Sequence, residues 1–471
     1  MHDELTTELK QRINTFQAWK YYIIPKFENK EKIVFLTSAS HWKQQYVKIL
    51  SLILEKKIEV EFTEHKEILY LLNKFYPRKN DNTTFNLSLE NDKFLEQLLL
   101  EAESLNSSDI HIERFENNAR IRYRIDGILV EKYKVPLHLY PSLINRIKIL
   151  SKLDIAEKRL PQDGRISIKK DSNAIDIRVS ILPAVFGEKA VLRILSKNAS
   201  LLSLSSLNMS DIQYHYYTEG MKRSDGLILI SGPTGSGKTS TLYATLKELN
   251  HPEINILTIE DPVEYILDGI NQVQLKENIG LTFSEALRTF LRQDPNVIML
   301  GEIRDEETAN MAIRASLTGH MVLSTIHTNS ATGIVSRLIN MGIPSYLVAQ
   351  TLNLAVAQRL VRKLCENCKK QQPFHKNLLP HNYKMPYDIP VHYIPGGCEE
   401  CLYTGYNGRI SIFEIIYIDK DIQKEIIEKK DIPNEIIRNK KIETLSLRAL
   451  KLLQTGKTSI NEIYPILQSS Q

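Results

Sequence analysis

Four short apolar runs, Leu227–Ile230, Ile256–Ile259, Val297–Leu300 and Met321–Thr325, are separated by segments of helical periodicity. Continuous apolar strands between helices predict a mostly parallel sheet covered on both faces. The pattern starts at Gly226 and predicts an α/β core over residues 226–361. Upstream it is different. Residues 86–197 hold short alternating runs, Ile110–Glu113, Ala119–Ile125, Ile128–Lys132, Arg165–Lys169, Ala174–Leu182 and Ala190–Leu195, with helices over Asp92–Ser104 and Leu139–Leu153. Asp126-Gly127 supplies a hairpin turn between two of them. This reads as an α+β domain with no βαβ array. Residues 1–85 form a small α/β unit, with strands at Lys32–Thr37 and Lys57–Phe62 and helices at Trp42–Glu55 and Glu64–Tyr76. The polar stretch Pro77–Thr84 marks a boundary. A Ser-rich linker and entry helix fill 198–225, a cysteine-bearing insertion fills 362–408, and 409–471 reads as mainly helical.

Composition narrows the class without deciding it. The 471 residues allow several domains, and a net charge of +5 on so long a chain is weakly basic. No run of eighteen apolar residues occurs, so no transmembrane helix is expected. The first twenty residues are charged and lack the apolar stretch of a signal peptide, so a cytoplasmic location is expected.

The chemistry begins at Gly232-Pro233-Thr234-Gly235-Ser236-Gly237-Lys238-Thr239-Ser240. The glycines, lysine and threonine match a phosphate-binding loop, and the segment follows a predicted strand and opens a predicted helix, as that motif requires. Backbone N–H groups and the helix dipole attract the phosphates of ATP. Lys238 reaches the β- and γ-phosphates, and the Thr239 hydroxyl ligates Mg²⁺. Two later strands end in acids, Glu260-Asp261-Pro262-Val263-Glu264 and Glu302-Ile303-Arg304-Asp305. Ligands of open α/β sheets bind at such strand ends. Glu302 is the expected carboxylate acting on magnesium and water. Glu264 is the second candidate for activating water, with Glu260 and Asp261 supporting, while any one of these acids could instead cap a helix. His327 lies just past Met321–Thr325 and reads either as a phosphate sensor or as a structural hydrogen bond; His320 sits at the far end of that strand.

All four cysteines lie in two C-x-x-C pairs, Cys365/Cys368 and Cys398/Cys401. Four thiolates close a tetrahedral site with no open position, so structural Zn²⁺ is expected. The gap between the pairs is longer than in common zinc ribbons. Reduced buried cysteines and an iron–sulfur site are the alternatives.

Taken together, GPTGSGKTST, TIEDPVEY, LRQDPNVIMLGEIRD and TGHMVLSTIHTNSA resemble the phosphate loop, Asp box, Walker B and His box of the secretion ATPases of type II secretion and type IV pilus assembly. SSDIHIE, RYRIDGIL, LDIAEKRLPQDGRIS and RVSILPAVFGEKAVLRIL are similar to that family's second N-terminal domain, and AVAQRLVRKLCENC with GCEECLYTGYNGRISIFEI to its cysteine-bearing segment. The resemblance covers about residues 95 to 450. It implies a RecA-like P-loop core behind a PAS-like α+β domain, a homohexamer with ATP between subunits, and ATP hydrolysis driving assembly of a pilus or pseudopilus. By position, Arg178 and Arg193 look like the family's arginine fingers, with Arg165 assisting. Read without the family, they are ordinary strand-face arginines. The four cysteines are similar to those of assembly and secretion motors, which retraction motors lack. The implied partners are an inner-membrane platform protein and a cytoplasmic adaptor, giving peripheral attachment at the inner membrane. Residues 1–85 depart most from the family pattern.

Two other classes compete. A nucleic-acid motor would use the same core, but no basic stripe interleaved with aromatics surrounds the cysteines, and the basic residues of Arg362–Lys370 read as a solvated face. Direct contact with nucleic acid is therefore not expected. A scaffold that binds nucleotide without hydrolysing it would not need Lys238, Glu264 and Glu302 together.

Overall fold

The computed structural model describes residues 15–29, 31–54, 56–76, 94–170, 173–195, 203–381 and 383–469, with single positions at 9, 12 and 13. The expected boundary at Pro77–Thr84 and the start of the Ser-rich linker lie outside them. The chain divides into two compact units, 1–166 with 177–194, and 167–176 with 195–471.

In the first unit, β1 (Ile23–Glu28), β2 (Lys32–Ser38) and β3 (Lys57–Thr63) form a three-stranded sheet in that order. β1 runs antiparallel to β2, and β3 parallel to it, with Lys32 opposite Lys57 and Ser38 opposite Thr63. A parallel neighbour needs a crossover, and the helix Gln45–Leu54 provides it. Phe35 and Leu36 of β2 pack with Leu50, Ile68 and Leu72 of the helices Gln45–Leu54 and His65–Phe75. β1 and the helix Thr15–Tyr21 were not read from the sequence; Pro25 and two charged residues interrupt the apolar pattern of β1.

A six-stranded sheet follows, built from β4 (Asp109–Arg114), β5 (Ala119–Ile125), β6 (Ile128–Val135), β7 (Gln162–Lys170), β8 (Asn173–Ala184) and β9 (Gly187–Leu195) in the order β6-β5-β4-β9-β8-β7. β4 pairs antiparallel with β5 and β9, and β5 with β6. The β5–β6 turn is Asp126-Gly127, both at positive φ (50° and 85°), as a tight right-twisting hairpin requires. The helices Phe94–Ser104 and Tyr140–Leu150 bury Leu98, Leu99, Leu143 and Ile147.

The second unit is built on a seven-stranded sheet. Its strands are β10 (Gly226–Ser231), β11 (Ile256–Glu260), β12 (Asn271–Gln274), β13 (Val297–Leu300), β14 (Met321–Ile326) and β15 (Leu352–Leu364), with β18 (Tyr406–Tyr417) at one edge. The order is β12-β11-β13-β14-β10-β15-β18; all neighbours are parallel except β15 and β18. Both faces are covered. Leu227 and Leu229 of β10 enter one apolar core, and Ile228 and Ile230 the other. That is why the strand reads as an unbroken apolar run.

Three features correct the sequence reading. The sheet does not stop at Val361: β15 continues to Leu364. The region 409–471 opens on most of β18, a core strand, before its helices Lys420–Lys429, Asn434–Asn439, Leu445–Gln454 and Ile460–Gln468. β12 (NQVQ) was missed because an exposed edge strand buries too little to show an apolar pattern. Within the insertion, β16 (Lys370–Pro373) and β17 (Val391–Ile394) make a two-stranded sheet, which accounts for the long gap between the cysteine pairs. Among the described residues no helix is long and apolar enough to cross a membrane.

Candidate functional site

Parallel pairing places the carboxyl ends of β10, β11, β13 and β14 on one edge of the second unit's sheet. The phosphate loop, the two acidic segments and His327 all leave from that edge. Residues 232–237 form a loop after β10, and Lys238, Thr239 and Ser240 open the helix Lys238–Leu249. Gly235 and Gly237 have φ of 79° and 89°, a conformation that costs other residues energy. No side chain caps the helix, so its first N–H groups remain available to an anion. Thr239 is exposed, whereas Ser236 is buried. The Lys238 ammonium donates to the Gly232 and Pro233 carbonyls at 2.8 and 3.1 Å. Burial lowers its pKa, the Glu302 charge opposes that shift, and the cation of Arg359 adds to it.

Glu302 follows β13 and is hydrogen-bonded by Arg304 and by His327 Nε2, the latter at 3.0 Å. Burial works to raise its pKa, but the Arg304 and His327 hydrogen bonds outweigh burial and hold the carboxyl below its ordinary value. His327 follows β14 directly, with about half its side chain exposed. His320, at the other end of that strand, bonds the Ala315 carbonyl at 3.0 Å and Thr318 at 3.1 Å, closing the turn before β14. The structure therefore joins Glu302 to His327, sets Lys238 near enough for the Glu302 charge to act on it, and leaves His320 in a turn.

The Asp-box acids separate by environment. Glu260 is buried; Thr258 and Gln272 donate to it at 2.6 and 3.1 Å, and Tyr243 donates to its other oxygen. It ties β11 to β12 and to the phosphate-loop helix. Asp261 is exposed and Glu264 half-buried, and the Glu264 N–H donates to Tyr243 at 3.3 Å. The same tyrosine thus joins the Asp box to the helix that starts the phosphate site.

Sequence reasoning missed Gln358 and Arg359 on β15. Gln358 is buried and accepts from Thr241 at 2.9 Å. A Cβ on Gly237 would meet its amide nitrogen at 2.9 Å, and one on Gly232 (φ 149°) would collide with its carbonyl oxygen. The close backbone approach of β15 explains the glycine at 232, and the parallel β10–β15 register, Ser231 opposite Ala357, creates it. A strand so far downstream leaves no local sign of that contact.

The four cysteine sulfurs lie within 4.8 Å of one another. Three sulfur pairs are 3.7–3.8 Å apart. A tetrahedron with metal–sulfur bonds of about 2.3 Å has edges of about 3.8 Å, so the residues fit zinc. Backbone N–H groups of Gly397, Cys398 and Gly405 point at the sulfurs from 3.1–3.2 Å, as thiolate sites require. Cys365 follows β15 and Cys401 precedes β18, so the antiparallel pairing of these strands brings the two C-x-x-C pairs together. The neighbouring basic residues are engaged within the chain: Arg362 pairs with Glu462 at 2.6 Å and stacks on Tyr406, and Lys369 pairs with Glu366.

In the first unit, Arg193 on β9 donates to Asp109 of β4 at 3.0 Å, yet 59% of its side chain stays exposed. Arg178 on β8 is half-buried, and Arg165 on β7 is exposed.

The profile of the family described as Type II/IV secretion system protein matches residues 89–465. The chain belongs to this family. It is a P-loop ATPase of the family's α/β fold. A type II secretion system ATPase E of Vibrio cholerae is 44% identical over 383 residues, covering 80% of this chain and 75% of its own. A type IV pilus assembly ATPase PilB of Acinetobacter baylyi is 38% identical over 487 aligned positions, covering 97% of this chain and 84% of its own. Among solved structures, the Legionella pneumophila ATPase DotB matches with a TM-score of 0.61 at 21% identity, covering 81% of this chain and 96% of its own. The pilus retraction motor PilT with bound ADP matches with a TM-score of 0.53 at 24% identity, covering 78% and 94%. At those identities the two structures share the fold.

Proposed function

We propose that the protein is the hexameric ATPase that powers assembly of a type IV pilus or a type II secretion pseudopilus from the cytoplasmic side of the inner membrane. The observation that carries this reading is the convergence of Lys238, Glu302 and His327 on the edge of one parallel sheet, in a chain of this family. The loop 232–240 holds the phosphates of ATP, with Lys238 on the β- and γ-phosphates and Thr239 on Mg²⁺. Glu302 orients or deprotonates the attacking water, and Glu264 is its alternative in that role. His327, held on Glu302, senses the γ-phosphate. Arg178 and Arg193 supply guanidinium charge from another domain, which couples domain closure to hydrolysis. The exposure of Arg193 beside its acidic partner supports that role. Cys365, Cys368, Cys398 and Cys401 hold structural zinc. A membrane platform protein and a cytoplasmic adaptor anchor the motor.

The pairing of Arg362 and Lys369 with acids speaks against the nucleic-acid motor. The test is the Mg²⁺-dependent ATPase rate at increasing protein concentration, with size measured by light scattering, with and without single-stranded DNA. A rate that rises with hexamer formation and ignores DNA supports the motor. Strong stimulation by DNA overturns it.

A further inference from the structure

We propose that Arg359 is a positioning residue of the ATPase site, clamping the loop that carries His327 to β15 where that strand backs the phosphate loop. The proposal rests on the reading of residues 232–240 as the nucleotide site. Arg359 lies on β15, beside the end of β10. One of its guanidinium nitrogens, Nη1, donates to the Gln358 carbonyl at 3.0 Å and would stand 3.2 Å from a Cβ on Gly232. The other, Nη2, donates to the Asn329 carbonyl at 2.8 Å, two residues beyond His327. One planar, rigid fork is thus fixed on its own strand at Gln358, beside Gly232, and reaches across to the loop after β14.

The far end of that second loop is fixed by a buried carboxyl group. Glu414 on β18 stands opposite Ala357 in the β15–β18 ladder and is buried. It accepts from the Ala331 N–H at 2.8 Å and from the Leu445 N–H at 3.1 Å, at the start of the helix Leu445–Gln454. Segment 327–331 is therefore pinned at Asn329 by a cation and at Ala331 by an acid. Burial disfavours the charge on both Arg359 and Glu414, and each charge favours the other. Both residues lie in the stretches that resemble the family's cysteine-bearing segment, AVAQRLVRKLCENC and GCEECLYTGYNGRISIFEI, but that resemblance assigns neither of them a role at the nucleotide. What joins them is that two strands bring a cation and an acid to either end of one loop. Because His327 bonds Glu302, a shift of that loop moves the histidine off the carboxylate that acts on water.

The experiment compares wild type, Arg359→Gln, Arg359→Lys, His327→Ala, Lys238→Ala and the double variant Arg359→Gln/His327→Ala in the full chain. Nucleotide affinity is read with a fluorescent ATP analogue, turnover by phosphate release, and folding by thermal melting. Arg359→Gln is expected to lower kcat on the order of 10- to 100-fold with affinity within about threefold of wild type. Arg359→Lys keeps the charge beside Glu414 but not the two-pronged bridge. It should melt near wild type and still lose turnover, which covers the case in which Arg359→Gln fails to fold. In the double variant, Arg359→Gln should add little to the loss caused by His327→Ala. Unchanged kcat, a loss confined to affinity, or a loss that adds fully to that of His327→Ala overturns the proposal. Lys238→Ala separates the two readings. If it retains nucleotide binding, the phosphate-loop assignment fails. If it loses binding while Arg359→Lys turns over normally, only the clamp fails.

Discussion

Each acid of the nucleotide site is defined by what donates to it. Glu260 and Glu302 both end strands of the same sheet, but Glu260 is buried among Tyr243, Thr258 and Gln272, while Glu302 meets Arg304 and His327 at the open edge. We expect Glu302→Gln to bind nucleotide within about threefold of wild type and to lose turnover by on the order of 100-fold or more. Retained turnover in a phosphate-release assay would move water activation to Glu264. A second residue-scale expectation concerns Glu113 in the first unit. Burial pushes its pKa up, but Arg122 at 2.8 Å and Lys189 at 3.1 Å outweigh burial and hold it at about 2, against an ordinary 4.5. A lowered folded value means that the ionised carboxylate stabilises the fold above about pH 4.5. That stability is lost as pH falls towards 2. Thermal melts between pH 5 and 2 should therefore fall more steeply for wild type than for Glu113→Gln; parallel curves would remove the claim.

At the scale of elements, the β15–β18 pair does more than close the sheet. Its middle carries Gln358 and Arg359 against the phosphate loop, and one end leads into Cys365 and comes in from Cys401. The zinc reading makes that outer end a metal-closed hairpin. Cys365→Ser should lower zinc content by elemental analysis and reduce the melting temperature of the second unit, and chelation of wild type should do the same. Wild-type protein purified without zinc would refute the assignment. The phosphate loop has an equally local dependence on β15. Gly232→Ala places a Cβ against the Gln358 carbonyl at a φ that suits glycine, so nucleotide affinity should fall at least tenfold, on the order of 1.4 kcal/mol. Wild-type affinity in that variant would mean the loop can retreat from β15.

For the whole molecule, the arginine residues are separated from the phosphate loop by chain organisation: Arg178 and Arg193 belong to the first unit and Lys238 to the second. Arg178→Ala should reduce hydrolysis at least tenfold with an unchanged melting temperature. An unaffected rate would return Arg178 to the status of a strand-face arginine.

The sequence by itself determined the elements whose signal is local. Short, mainly apolar runs marked β10, β11, β13 and β14 to within a residue at either end, because strands buried on both faces carry few polar residues and those small, Thr258, Ser324 and Thr325. The phosphate loop and the C-x-x-C pairs were legible because their chemistry requires particular residues at short spacing. What only the tertiary structure decided was contact across distance. It placed β18 in the core sheet, buried Glu260 among Tyr243, Thr258 and Gln272 while setting Glu302 against Arg304 and His327, and set β15 against a loop far upstream. Those outcomes depend on which strands become neighbours, and strand order arises from the packing of the whole sheet. No short stretch of residues encodes it.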